Sequence, residues 1–302
     1  MSSLESLLLA GVPVLVRPPA NPSLSTPLII LWHGAGIPGS KEMLAEILPL
    51  EEVQAWKAYL GLPLFGKRLP VGGTDEMTRR QLEDYVLQAL LPTVEQAMQE
   101  LPDVVRALQA RFSIDDREGI GLFGFSVGGI AALLTLLESP LPITTAVLAG
   151  VTKDLASAVN NYERIVQAAY PTLKEQYPWV EKRYRWSAES QVAKQRLDFL
   201  SRASNLQKHQ PMPAVLFVHG SQDEIFPASE VEELYTTLAP YYEQAAQSKR
   251  LSMRTFEHLK HNIDLEAAKN SPDMQQDIAE LQRIVSAWFS QHRIIQEFLW
   301  QH

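Results

Sequence analysis

The apolar positions of the chain switch repeatedly between a two-residue and a helical period. Residues 6–17 alternate loosely and are interrupted by Gly11 and Pro13, which predicts a pair of short edge strands. After a polar, proline-rich loop from Pro18 to Pro27, the tight apolar run Leu28 to Trp32 reads as a central strand entering the turn His33-Gly34-Ala35-Gly36. Met43, Leu44, Ile47 and Leu48 carry helical spacing within residues 41–56, with Pro49 as a break. Lys57 to Leu62 predicts another strand, closed by Pro63 and followed by a loop from Phe65 to Gly73. The pattern is then helical from Thr74, a plausible cap, to Phe112, with Pro92 and Pro102 as kinks or boundaries. Ile120 to Phe123 is a short buried strand running into the apolar helix former Val127 to Leu137. Thr144 to Leu148, Ala214 to Val218 and Leu251 to Phe256 are further strands; Ser229 to Leu238 and Met274 to Phe289 are further helices.

Strands alternating with helices imply a mostly parallel sheet covered on both faces. Residues 152–210 break that rhythm: they are long, rich in tyrosine and tryptophan, and mixed in charge. Residues 1–151 and 203–302 are therefore expected to form the α/β core, and residues 152–202 a helical cap or lid inserted into it. No internal repeat or low-complexity tract interrupts this organisation.

Composition narrows the class. The 302 residues are 46% hydrophobic and 21% charged, as in an ordinary globular protein. A net charge of −8, without a long Lys/Arg run, disfavours nucleic acid and anionic membranes as partners. There is no cysteine, so disulfides, thiolate catalysis and Cys-ligated metals are excluded. Leu7 to Leu9 lack a preceding basic residue and follow Glu5, which reads as a strand and not a signal peptide. No apolar run approaches the roughly 18 residues that span a bilayer. A cytoplasmic protein is expected.

The candidate chemistry begins where a strand turns into a helix. Gly124, Ser126 and Gly128 form a Gly-x-Ser-x-Gly pattern between the run ending at Phe123 and the helix from Val127. So sharp a turn strains the serine backbone and pushes Oγ outward, and side chains at the flanking glycines would strike the adjoining strand and helix. The Val127 N–H, at a helix start, is aimed at an oxygen on the carbon under attack. A serine hydroxyl needs a base. After the strand Ala214 to Val218 comes His219-Gly220-Ser221-Gln222-Asp223-Glu224-Ile225-Phe226-Pro227, and after the last strand comes Glu257-His258-Leu259-Lys260-His261-Asn262. Ligands of an open parallel sheet sit beyond the carboxyl ends of the strands, so Ser126, Asp223 and His261 are expected to converge on one crevice.

These motifs resemble those of an α/β-hydrolase fold serine hydrolase of the esterase and dienelactone-hydrolase-like branch. The likeness runs from about Leu28 to the final helix, interrupted at 60–112 and 152–202. His33 to Gly36 is similar to the family's oxyanion turn, Gly124 to Gly128 to its nucleophile elbow, and His219 to Pro227 to its His-Gly-x-x-Asp-x-x-x-Pro acid loop. Lys260 stands where the family usually has a glycine before the catalytic histidine. The resemblance implies the chain order Ser126, Asp223, His261 for nucleophile, acid and base, with the backbone N–H groups of Ala35 and Val127 as the oxyanion hole. It implies an acyl-enzyme on Ser126, a small-molecule acyl substrate and no cofactor.

Other assignments stay open at this stage. Asp154 or Glu224 could replace Asp223 as the acid, and His258 could replace His261 as the base. His33 and His219, each at a strand end, read as structural. Phe125, Trp179 and Trp186 are candidate substrate contacts, the latter two because a lid needs apolar aromatic area facing its substrate. Lys182, Arg183 and Arg185 form either a carboxylate-binding group or a solvated face. No spacing supports a metal site. A peptidase or thioesterase with the same triad, and a non-catalytic small-molecule binder, are the competing functions.

Overall fold

A computed structural model describes residues 4–23, 26–112, 114 and 119–292; positions 24 and 25 of the predicted proline-rich loop lie outside these. The strands are β1 (Glu5–Leu9), β2 (Val12–Arg17), β3 (Leu28–Trp32), β4 (Trp56–Leu60), β5 (Ile120–Phe125), β6 (Ile143–Ala149), β7 (Ala214–Gly220) and β8 (Leu251–Phe256). They form an eight-stranded sheet in the order β1-β2-β4-β3-β5-β6-β7-β8. The pairings β1 with β2 and β2 with β4 are antiparallel, and every other pairing is parallel. The fold is the α/β-hydrolase fold.

The period-two pattern decides which face each side chain enters. In β3, Leu28, Ile30 and Trp32 join the larger core on one face, whereas Ile29 and Leu31 join the core on the other. Strands buried on both faces read as continuous apolar runs, which is why β3 and β5 stand out in the sequence. The helices are α1 (Lys41–Ile47), α2 (Gly73–Asp84), α3 (Leu91–Phe112), α4 (Val127–Glu138), α5 (Leu155–Gln176), α6 (Ala188–Arg196), α7 (Ala228–Gln244), the single turn α8 (Leu265–Ala268) and α9 (Pro272–Gln291). No helix among the described residues is long and apolar enough to cross a membrane.

The region 74–112 departs from its expectation. Thr74 is not the cap: Gly72, in the left-handed region at φ 99°, precedes the first helical residue, Gly73. The break falls at Asp84, whose extended backbone (φ −154°, ψ 90°) interrupts the run and whose carboxylate accepts the Leu87 N–H at 2.9 Å. A π-helical turn, Tyr85–Leu90, then leads into α3. Pro92 lies where the π turn passes into α3 and Pro102 lies inside α3, and neither ends the helix. Elsewhere, α7 likewise runs through Pro240 and extends beyond the predicted end at Leu238.

Candidate active site

Ser126 occupies the predicted elbow. Its backbone lies at φ 53°, ψ −121°, in the left-handed half of conformational space that a side chain disfavours. A β-carbon added to Gly124 would sit 2.4 Å from the Gly128 carbonyl oxygen, and one on Gly128 would sit 2.3 Å from the His33 carbonyl oxygen. Both glycines are thus sterically required. The turn is pinned on each side: the Ser126 N–H donates to the Ala149 carbonyl at 2.9 Å, and the Ile130 N–H donates to the Ser126 carbonyl at 3.0 Å.

Three loops at the carboxyl ends of the strands bring the polar groups together. Ser126 Oγ donates to His261 Nε2 at 2.9 Å, and His261 Nδ1 donates to Asp223 Oδ2 at 2.8 Å. The other oxygen of Asp223 accepts the backbone N–H groups of Ile225 and Phe226, each at 2.8 Å, so the carboxylate cannot swing away. Burial pushes the Asp223 carboxyl up, but the hydrogen bond and charge of His261, with the Phe226 N–H, outweigh it and hold the group below the ordinary carboxylate range. Phe125 and Phe226 pack around the His261 ring, with centroids at 5.3 and 5.5 Å.

The alternative groups lie elsewhere. Asp154 caps α5 by accepting the Ser157 N–H at 2.7 Å, and Glu224 is exposed. His258 turns toward α9: its N–H donates to Asp277 Oδ2 at 2.8 Å. His33 and His219 are buried strand-end residues. In His33, Nε2 accepts the Leu62 N–H at 3.2 Å and Nδ1 donates to the Gly34 carbonyl at 2.7 Å, while burial lowers the pKa to about 4. His219 Nε2 donates to the Phe226 carbonyl at 2.9 Å and so steadies the acid loop.

Ala35 and Val127 both border the crevice beside Ser126, and among the described residues neither backbone N–H donates to a protein acceptor. The turn carrying Ala35 is held by the Gly34 N–H donating to the Pro38 carbonyl at 2.9 Å, and by Asn262, whose Oδ1 accepts the Ile37 N–H at 2.8 Å. Asn262 also borders the crevice. The sequence pattern does not predict this contact, although Asn262 stands directly after His261.

The crevice encloses about 460 Å³. Its walls are two helical stripes. Met77, Gln81, Tyr85, Ala89 and Thr93 recur every four residues along α2, the π turn and α3; Tyr162, Val166, Ala169 and Leu173 recur at the same kind of spacing along α5. The Tyr85 and Tyr162 rings meet in a parallel stack, centroids 4.4 Å apart and planes 5° from parallel. Burial raises both phenols, Tyr162 to about 12.

The expected substrate contacts need correction. Phe125 does not border the crevice, because strand alternation turns its ring to the other face, behind His261. Trp179 is 45% exposed and lines a separate outer cavity, and Trp186 packs edge-on against Tyr184 under the Lys194 ammonium. Lys182 lies over the Tyr170 ring and Arg185 pairs with Glu181, so neither reaches the crevice; Arg183 also lies outside it, lining the outer cavity. Among the described residues no cluster of His, Cys, Asp and Glu could hold a metal ion.

This fold with its serine elbow defines a serine hydrolase of the α/β-hydrolase class. Residues 92–292 match the prolyl oligopeptidase family, and the chain belongs to that family. No curated protein matches the sequence. Among solved structures, the chain is similar to TT1662 from Thermus thermophilus, at 20% identity and a TM-score of 0.60, covering 92% of this chain and 98% of that one. It is also similar to an esterase of Pyrococcus furiosus, at 14% identity and a TM-score of 0.60, covering 97% and 92%. An acylaminoacyl peptidase of Pyrococcus horikoshii superposes at 13% identity and a TM-score of 0.62, covering all of this chain but only 43% of that one.

Proposed function

We propose that the protein is a carboxylesterase that works through an acyl-enzyme on Ser126, with His261 as base and Asp223 as the acid that orients it. The observation that carries this reading is the unbroken chain of hydrogen bonds from Ser126 Oγ through His261 to Asp223, opening onto a crevice large enough for a small molecule. Ser126 Oγ attacks the ester carbonyl carbon as its proton passes to Nε2. The carboxylate of Asp223 accepts the Nδ1 proton in a hydrogen bond, fixes that tautomer and stabilises the imidazolium. The Ala35 and Val127 N–H groups receive the developing oxyanion, an interaction whose loss typically costs about 100-fold or more in rate. Nε2 then protonates the departing alcohol. Water, deprotonated by the same nitrogen, cleaves the acyl-enzyme and restores Ser126. Residues 152–202 act as a cap whose α5 supplies one wall of the crevice, and the core is residues 1–151 and 203–302.

Peptide or acyl-peptide cleavage by the same groups is the second reading, favoured by membership of a peptidase family. Among the described residues the crevice walls carry no carboxylate to receive a free peptide amino terminus, which favours esters over free peptides and leaves acylated peptides as the competing substrate. Labelling by a fluorophosphonate, followed by assay on matched acyl esters, thioesters and acylated peptides, tests the proposal. Labelling at Ser126 with turnover confined to peptides would replace it.

A further inference from the structure

The crevice differs sharply in charge from the surface around it. Although 21% of the chain is charged, no Asp, Glu, Lys or Arg among the described residues lines the crevice. A carboxylate or ammonium drawn inside would surrender its hydration without meeting a counter-ion. An apolar chain there would instead bury itself against Met77, Leu82, Ile130 and Val166. The exclusion of charge is therefore a property of both walls.

A second cavity of about 280 Å³ shares Leu82 and Tyr162 with the crevice. Its remaining lining is of the opposite character: Glu83, Trp179, Glu181, Arg183, Tyr184 and Arg185. Leu82 and Tyr162 therefore border both spaces. The Tyr162 ring is fixed in place by its stack on Tyr85, and Tyr85 follows directly on Asp84, whose carboxylate accepts the Tyr184 O–H at 2.6 Å. A ring held in this way can act as a wall.

Resting on the reading that Ser126 carries an acyl group, we propose that the crevice selects uncharged, apolar acyl chains and that the Tyr162 ring, with Leu82, sets the longest chain accommodated. Removing that ring joins the apolar crevice to the charged outer cavity.

The experiment uses p-nitrophenyl esters of increasing acyl length, together with p-nitrophenyl hemisuccinate as a charged acyl of similar size. Turnover is measured with the wild-type protein and equilibrium binding with Ser126→Ala, so the pocket is read independently of catalysis. Affinity and kcat/KM are expected to rise about fourfold per added methylene, the gain of burying one CH2, and then to break downward at a definite length. The hemisuccinate is expected to be at least about tenfold poorer than the uncharged ester of equal length. Tyr162→Ala moves the break to longer chains, whereas Tyr162→Phe, which keeps the ring, leaves the break in place. Leu82→Ala provides a second way to open the partition should Tyr162→Ala not fold. A chain-length series that binds as expected without turnover overturns the esterase reading and leaves the selectivity standing. A flat binding series, equal binding of the hemisuccinate, or a break that neither partition variant moves overturns the selectivity itself.

Discussion

The side chain of Asn262 holds the backbone of Ile37: its Oδ1 accepts the Ile37 N–H at 2.8 Å, and the next residue, Ile263, donates its own N–H to the Ile37 carbonyl at 2.8 Å. The loop that carries His261 is thereby joined to the turn that carries Ala35. A β-carbon on Gly36 would fall 2.3 Å from Asn262 Oδ1, so the contact tolerates no side chain there.

Asn262→Ala is accordingly expected to lower kcat by about 10- to 100-fold, the scale of loss when a reacting geometry slips by about an ångström. KM should change little, because the apolar stripes of α2, α3 and α5 are untouched. Steady-state kinetics on one ester, with a thermal melt to verify folding, measure this; a change confined to KM would place Asn262 in substrate binding.

The strained elbow makes a prediction about stability that differs from the one about activity. Ser126→Ala and Ser126→Gly both remove the hydroxyl and should both abolish turnover and fluorophosphonate labelling. Glycine also relieves the φ of 53°, so Ser126→Gly is expected to be more stable than Ser126→Ala by about 1 kcal/mol. Paired denaturant titrations measure the difference, and an alanine variant as stable as the glycine one would mean that the elbow stores no strain.

Asp223→Asn should lower kcat by roughly 10³- to 10⁴-fold, because an amide can accept the Nδ1 proton only in one orientation and supplies no charge to the imidazolium. The N–H groups of Ile225 and Phe226 retain an oxygen acceptor, so the loop should stay in place. Activity within tenfold of wild type would return Asp154 and Glu224 to consideration.

His33 predicts an acid-sensitive fold. Its pKa is lowered by burial to about 4 from an ordinary 6.5, so between those values the unfolded chain binds a proton that the folded chain refuses. The contribution of the neutral imidazole, about 3 kcal/mol for a shift of this size, is fully present above pH 6.5 and lost as pH falls to about 4. In His33→Gln the bridge from Gly34 to Leu62 is weakened but nothing titrates. The stability gap between wild type and variant should therefore shrink steadily from pH 7 to pH 4.5, as followed by urea unfolding; a constant gap would contradict the assignment.

The chemistry of the site was more legible in the sequence than its walls. Ser126 and Asp223 each follow a strand marked by an apolar run, His261 follows the more polar edge strand β8, and the glycines of the elbow carry their own steric reason. What sequence cannot separate is an apolar stripe facing solute from one facing core. Tyr85 and Tyr162 have the same helical spacing as ordinary packing residues, and only the tertiary arrangement turns those stripes toward Ser126. Trp179 and Trp186 drew attention by size, yet no local pattern reports that they face an outer cavity and a neighbouring tyrosine. Phe125 was one position out of phase, since adjacent strand residues face opposite sides. The prolines between Thr74 and Phe112 predict breaks, but the break falls at Asp84, where a side chain captures the Leu87 N–H.

Asp84 and Tyr85 together tie one crevice wall to the other, the first through the Tyr184 hydroxyl and the second through the Tyr162 ring. Residues 152–202 are also tied elsewhere, Arg164 donating to the Glu224 and Ile225 carbonyls and Arg196 pairing with Glu95 and Glu138, while Ile165, 54% exposed on α5, lies at the lip. A single change at Asp84 or Tyr85 would therefore release one of the ties between residues 152–202 and the α2–α3 stripe without touching the serine.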